Sequence, residues 1–95
     1  MDKITNEKLD KYFNITNKAL KKVKIVKTGE IDFEEAAKDF LDMAQRYYDD
    51  AKHFRDKDDY VNAFACINYA HGWLDAGARI GLFDVDRDSE LFTVD

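Results

Sequence analysis

His71, Asp75 and Arg79 stand four residues apart, with Asn68 just before them. On a helix, residues four apart are neighbours, so each adjacent pair can touch and the four share one narrow polar strip. Two kinds of chemistry fit such a strip. In one, His71 and Arg79 hold a small polar or anionic ligand, and Gly72 leaves room beside them. In the other, the strip is an ion-pair seam to a facing helix. Antiparallel pairing about the turn at residues 56–59 sets Asp75 near Asp39 and Arg79 near Glu35. The seam is the favoured reading, and the ligand site is the alternative.

The remaining reactive side chains do not converge. Asp49 and His53 are also four apart, but the antiparallel register puts His53 opposite Val61 and His71 opposite Met43. At helical rise the two imidazoles are then roughly 15 Å apart along the bundle and cannot share an ion. Cys66 has no thiol or histidine at zinc spacing. Cys66 is buried by pattern, and Ser89 lies in the tail without a neighbouring base. No glycine-rich phosphate loop occurs. The expectation is no enzyme, no metal and no cofactor, for want of a nucleophile, base and oxyanion donor on one surface.

Three amphipathic segments must position these residues, over about 6–26, 33–55 and 60–81. In the first, Leu9, Tyr12, Phe13, Thr16, Ala19, Leu20 and Val23 recur at three- and four-residue spacing, with Lys11, Lys18 and Lys22 opposite. Thr5 is the predicted N-cap and Gly29 the predicted C-terminal stop. In the second, Asp32 with Glu35 three residues on reads as a capping pattern. Phe33, Ala37, Phe40, Ala44, Tyr47, Tyr48, Ala51 and Phe54 then share a face. The third is stopped near Gly81, and an acidic tail follows over 84–95. The expected fold is an all-α, up-and-down antiparallel three-helix bundle, one domain over 1–83 with a short C-terminal tail.

The third segment is apolar around most of its circumference. Ala63, Phe64, Ile67, Ala70, Leu74 and Ala78 form the expected core face, and Ala65, Cys66, Tyr69, Trp73, Ala76 and Ile80 form a second. A helix in a small bundle needs one wide stripe, so the second face calls for a cover. Either the tail aromatics Phe83 and Phe92 fold back over it, or Tyr69, Trp73 and Ile80 form an interface with a partner or a second copy. Glycine inside a helix costs about 1 kcal/mol relative to alanine. Gly72 and Gly77 are therefore expected where a neighbouring segment approaches closely.

Composition bounds the partners. The 95 residues are 45% hydrophobic and 37% charged, with no proline, as in a folded single domain. The net charge of −5 is unevenly spread. Residues 1–29 hold eight lysines against three acids, and the rest hold seven basic residues against seventeen acids. Nucleic-acid binding by the whole molecule is not expected, and lysines opposite a core arc serve mainly to keep a helix solvated. No apolar run is long enough for a membrane span and no signal-peptide core opens the chain. One cysteine cannot make an internal disulfide, which fits a cytoplasmic protein.

The run Tyr47-Tyr48-x-Asp50-Ala51-x-x-Phe54, followed by Asp59-Tyr60-Val61 and by Tyr69-Ala70-His71-Gly72-Trp73-Leu74-Asp75-Ala76-Gly77-Ala78-Arg79, carries a resemblance. It is similar to a short archaeal family known as domain of unknown function 357. The resemblance covers the second and third segments well, the first by length and pattern, and the tail poorly. It implies an archaeal, cytoplasmic source and an up-and-down three-helix bundle, with no established activity. The functional expectation is an interaction or assembly module, by protein–protein contact or self-association. Its alternative is a binding protein for a small polar or anionic ligand at His71, Asp75 and Arg79.

Overall fold

The computed structural model describes residues 3–93. Residues 1, 2, 94 and 95, which belong to the expected domain and tail, lie outside the described residues. The class is all-α, with three helices and no strand among the described residues: α1 (Asn6–Lys22), α2 (Phe33–Asp56) and α3 (Tyr60–Arg79). The chain divides into two compact units, residues 1–30 and residues 31–95.

The first unit is built on α1. Thr5 is extended and its hydroxyl accepts the backbone N–H of Lys8 at 3.1 Å, which satisfies one of the free amides at the helix start. Lys21 and Lys22 lie in the last turn, where positive charge complements the helix dipole. The helix ends at Lys22, four residues short of the expectation, because Val23 turns extended at φ −66 and ψ 143. Three of the next four residues, Val23, Ile25 and Val26, are β-branched and lose side-chain freedom in a helix. Gly29, at φ 141, lies in the irregular segment beyond that end. No residue of α1 is buried.

The second unit is an antiparallel hairpin of α2 and α3 followed by the folded tail. Asp32 opens α2 by accepting the Glu35 N–H at 3.2 Å, as the capping pattern predicts. Asp59 does the same for α3, accepting the Asn62 N–H at 3.2 Å and the Asn62 side-chain amide at 2.7 Å. Between them the chain reverses through Asp58, held at φ 60. Aspartate tolerates this left-handed region better than most residues, because its short side chain bonds locally. Here Asp58 accepts the Tyr60 hydroxyl at 3.0 Å.

The α3 end is a Schellman turn. Gly81 adopts φ 84, its N–H bonds the Ala78 carbonyl at 3.3 Å, and the Leu82 N–H bonds the Gly77 carbonyl at 2.8 Å. These bonds satisfy carbonyls that the helix end leaves free, and the positive φ is the reason for glycine. The chain is thereby turned back toward α3.

The hairpin seam is made of small residues. Ala44 and Ala51 of α2 and Ala70 of α3 are its buried positions. Small side chains let two helix backbones approach closely, and larger ones pack beside them. Phe40 meets Trp73 edge to face at 4.9 Å, and Tyr47 meets Tyr69 at 4.4 Å. Such aromatic pairs add about 0.5–1.5 kcal/mol beyond the area they bury.

Candidate functional site: the hairpin groove and the polar strip

The seam runs between the two α3 faces expected from the sequence and takes residues from both. Ala63 and Ala70 come from the expected core face, and Cys66 and Trp73 from the second. Phe64 and Ile67 are consequently left 70% and 38% exposed. The Tyr69–Trp73–Ile80 set divides as well. Trp73 is half-buried against Phe40, Tyr69 touches Tyr47 while staying exposed, and Ile80 is exposed. The cover for this side comes in the first place from α2.

On the other side of the seam lies an apolar groove. It consists of two adjoining hollows of about 520 and 510 Å³ that share Tyr48 and Ile67. Ala44, Ala51 and Ala70 form the floor, and Leu41, Tyr48, Phe64 and Ile67 stand exposed along the walls. At the turn end the rim carries Lys52 and Arg55, with the Lys52 Nζ 5.3 Å from the Tyr48 ring centre. His71 and Asn68 stand at the other end. Side chains of this size left in water carry a driving force for association of about 25 cal/mol per Å² of apolar area they could still bury.

The polar strip has an unexpected partner. Asp75 accepts the Thr93 N–H at 2.9 Å through Oδ1 and the Thr93 hydroxyl at 3.3 Å through Oδ2. The His71 Nε2 lies 3.5 Å from the Asp75 Oδ1. The Phe92 ring stacks on the His71 imidazole with a 22° interplanar angle. His71 and Asp75 are thus brought together, as their spacing predicts, and the tail joins them. Asn68 instead donates to the Phe64 carbonyl at 3.0 Å within its own helix. Arg79 is exposed and makes no ion pair among the described residues. The expected seam to Asp39 and Glu35 is absent among the described residues: the ion pairs of α2 join Lys38 to Glu34 and Arg46 to Asp42 within that helix. His71 and Asp75 are turned toward the tail, on a different side of α3 from the seam.

Both tail aromatics fold back on α3, but in different places: Phe92 lies on the strip at His71, and Phe83 lies over Gly77. A Cβ added at Gly77 would overlap the Phe83 ring, so the close approach expected at both glycines is found at Gly77. A Cβ at Gly72 would meet nothing within 4 Å, and that position corrects the expectation. The conformation of Gly72 is ordinary helix, and no contact explains its choice. Sequence reasoning missed Leu41 in the groove, and it missed Phe92 and Thr93 as partners of the strip. The available signal for Leu41 was its seven-residue spacing to Tyr48, which places both on one helical side. The tail offered no periodic signal.

The Tyr60 phenol and the Cys66 thiol titrate away from their ordinary values. The hydrogen bond to Asp58, and then its negative charge, raise the Tyr60 phenol above 10.0. Burial, followed by the charges of Asp50 and Asp59, raises the Cys66 thiol above 9.0. Both effects hold the group neutral, the opposite of what an activated nucleophile requires. No group of three or more His, Cys, Asp or Glu side chains able to hold a metal ion occurs among the described residues. No helix among them is long and apolar enough to cross a membrane.

No curated protein and no solved structure matches the chain significantly. A family model described as "Protein of unknown function (DUF357)" matches residues 11–83, which include α2, α3, the turn between them and most of α1. That span takes in the groove walls, the polar strip and the Gly77–Phe83 approach, and on it the chain belongs to the DUF357 family.

Proposed function

We propose that this protein is an interaction and assembly module that self-associates through the α2–α3 groove. The observation that carries the reading is the row Leu41, Tyr48, Phe64 and Ile67, exposed above a floor of buried alanines. Two hairpins laid groove to groove form a four-helix arrangement in which these side chains become the core. The α2 rim suits a twofold contact. Glu34, Leu41, Tyr48 and Arg55 recur every seven residues, so they follow one line along the helix. Antiparallel pairing sets Arg55 of one copy against Glu34 of the other, and Tyr48 against Leu41, which is the self-complementarity a twofold interface needs.

The alternative, a small polar or anionic ligand at His71, Asp75 and Arg79, has less support. Thr93 already occupies both oxygens of Asp75, and Arg79 stands outside that cluster. A cytoplasmic, archaeal setting suits the module: the lone Cys66 is held as a neutral thiol beside the seam, and the family resemblance points the same way. Charge reversal tests the pairing. Sedimentation equilibrium of Arg55→Glu is expected to show a dimer weakened roughly fivefold, and Glu34→Arg in the same chain is expected to restore it. Equal dimer affinity in all three proteins contradicts the antiparallel pairing.

A further inference from the structure

The tail touches α3 at two places of different character. Near its start, Phe83 lies over Gly77 so closely that no side chain larger than hydrogen fits beneath it. Near its end, Thr93 and Phe92 meet Asp75 and His71 through exposed hydrogen bonds and a stacked ring. Between these places the tail has its own internal order. The Asp88 carboxylate accepts the N–H groups of Glu90 at 3.0 Å and Leu91 at 3.1 Å, and the Asp88 carbonyl accepts the Phe92 N–H at 3.0 Å. Asp86 and Arg87 take φ 54 and 57, a conformation that folds the segment back on itself.

We propose that residues 81–93 form a strap on α3, hinged at Gly81, anchored by Phe83 and latched reversibly by Asp75. The anchor is a packed contact, lost only when the segment leaves its place. The latch consists of water-accessible bonds that exchange readily with solvent, the kind that opens locally without unfolding the rest. The Asp88 turn keeps the end of the strap shaped for re-docking, because its bonds lie within the strap. The latch also reaches the groove. His71, on which Phe92 stacks, is one of the groove-wall residues. Opening the latch removes the ring that holds that imidazole in place, so the strap state sets one end of the groove. Only this consequence rests on the proposed function; the latch itself stands without it.

Hydrogen exchange followed by NMR on the full chain tests the latch. Asp75→Ala removes both acceptor oxygens and is expected to speed Thr93 amide exchange about tenfold. The Glu90, Leu91 and Phe92 amides are expected to keep their wild-type rates, and the His71 ring signals are expected to change position as Phe92 leaves the imidazole. Thr93→Val removes only the hydroxyl bond and is expected to give a smaller acceleration in the same direction, which covers the case in which Asp75→Ala perturbs α3. An unchanged Thr93 rate in Asp75→Ala overturns the latch. Equal acceleration along α3 in both variants also overturns it, because opening is then not local. Phe64→Asp separates the two readings: it is expected to abolish self-association while Thr93 protection stays at the wild-type level.

Discussion

At the scale of single residues, the two helical glycines of α3 have opposite roles and should answer opposite mutations. Gly72 faces open space, so Gly72→Ala adds helix propensity without a clash and is expected to stabilise the fold by about 0.4–1 kcal/mol. Gly77 faces the Phe83 ring, and Gly77→Ala is expected to destabilise by about 1–3 kcal/mol through overpacking. Thermal unfolding of both variants checks the pair, and equal shifts contradict the packing described. Tyr60 offers a titration test. Its pKa is raised, so the folded state holds the phenolic proton more tightly than the unfolded chain does. That contribution to stability is complete below pH 10.0 and is lost as pH rises through the folded value. Absorbance at alkaline pH should show Tyr60 ionising above the ordinary tyrosine range, and Asp58→Asn should bring it back down.

At the scale of elements, local chemistry is the part most legible in the sequence. Thr5, Asp32 and Asp59 are caps by residue type and spacing, and each accepts the N–H three residues on. Asp32→Ala should therefore cost about 1 kcal/mol in denaturant unfolding. The α1 end was less legible, because an amphipathic arc continues through Val23 while β-branched residues withdraw support for the helix. Helix rotation was the least legible quantity. A helix apolar over most of its circumference does not reveal which stripe meets its neighbour. The choice here follows Ala44, Ala51 and Ala70, the small residues that allow close approach, rather than the largest side chains. That rotation moved Phe64 and Ile67 out of the seam and Trp73 into it.

At the scale of the whole molecule, the all-α class and the family were legible, and the use of the polar strip was not. His71 and Asp75 meet as their spacing predicts, but their further partners, Phe92 and Thr93, lie some twenty residues away in a tail without periodicity. The groove follows from the helix rotation, so it too became visible only with α2 and α3 packed. Its exposed walls are the basis for reading the protein as an assembly module. Sedimentation equilibrium across a wide concentration range tests that reading most directly. The wild-type chain is expected to reach twice its 11.1 kDa mass, while Phe64→Asp stays at the single-chain mass with an unchanged helical spectrum. A wild-type chain that stays at the single-chain mass throughout contradicts self-association through the groove.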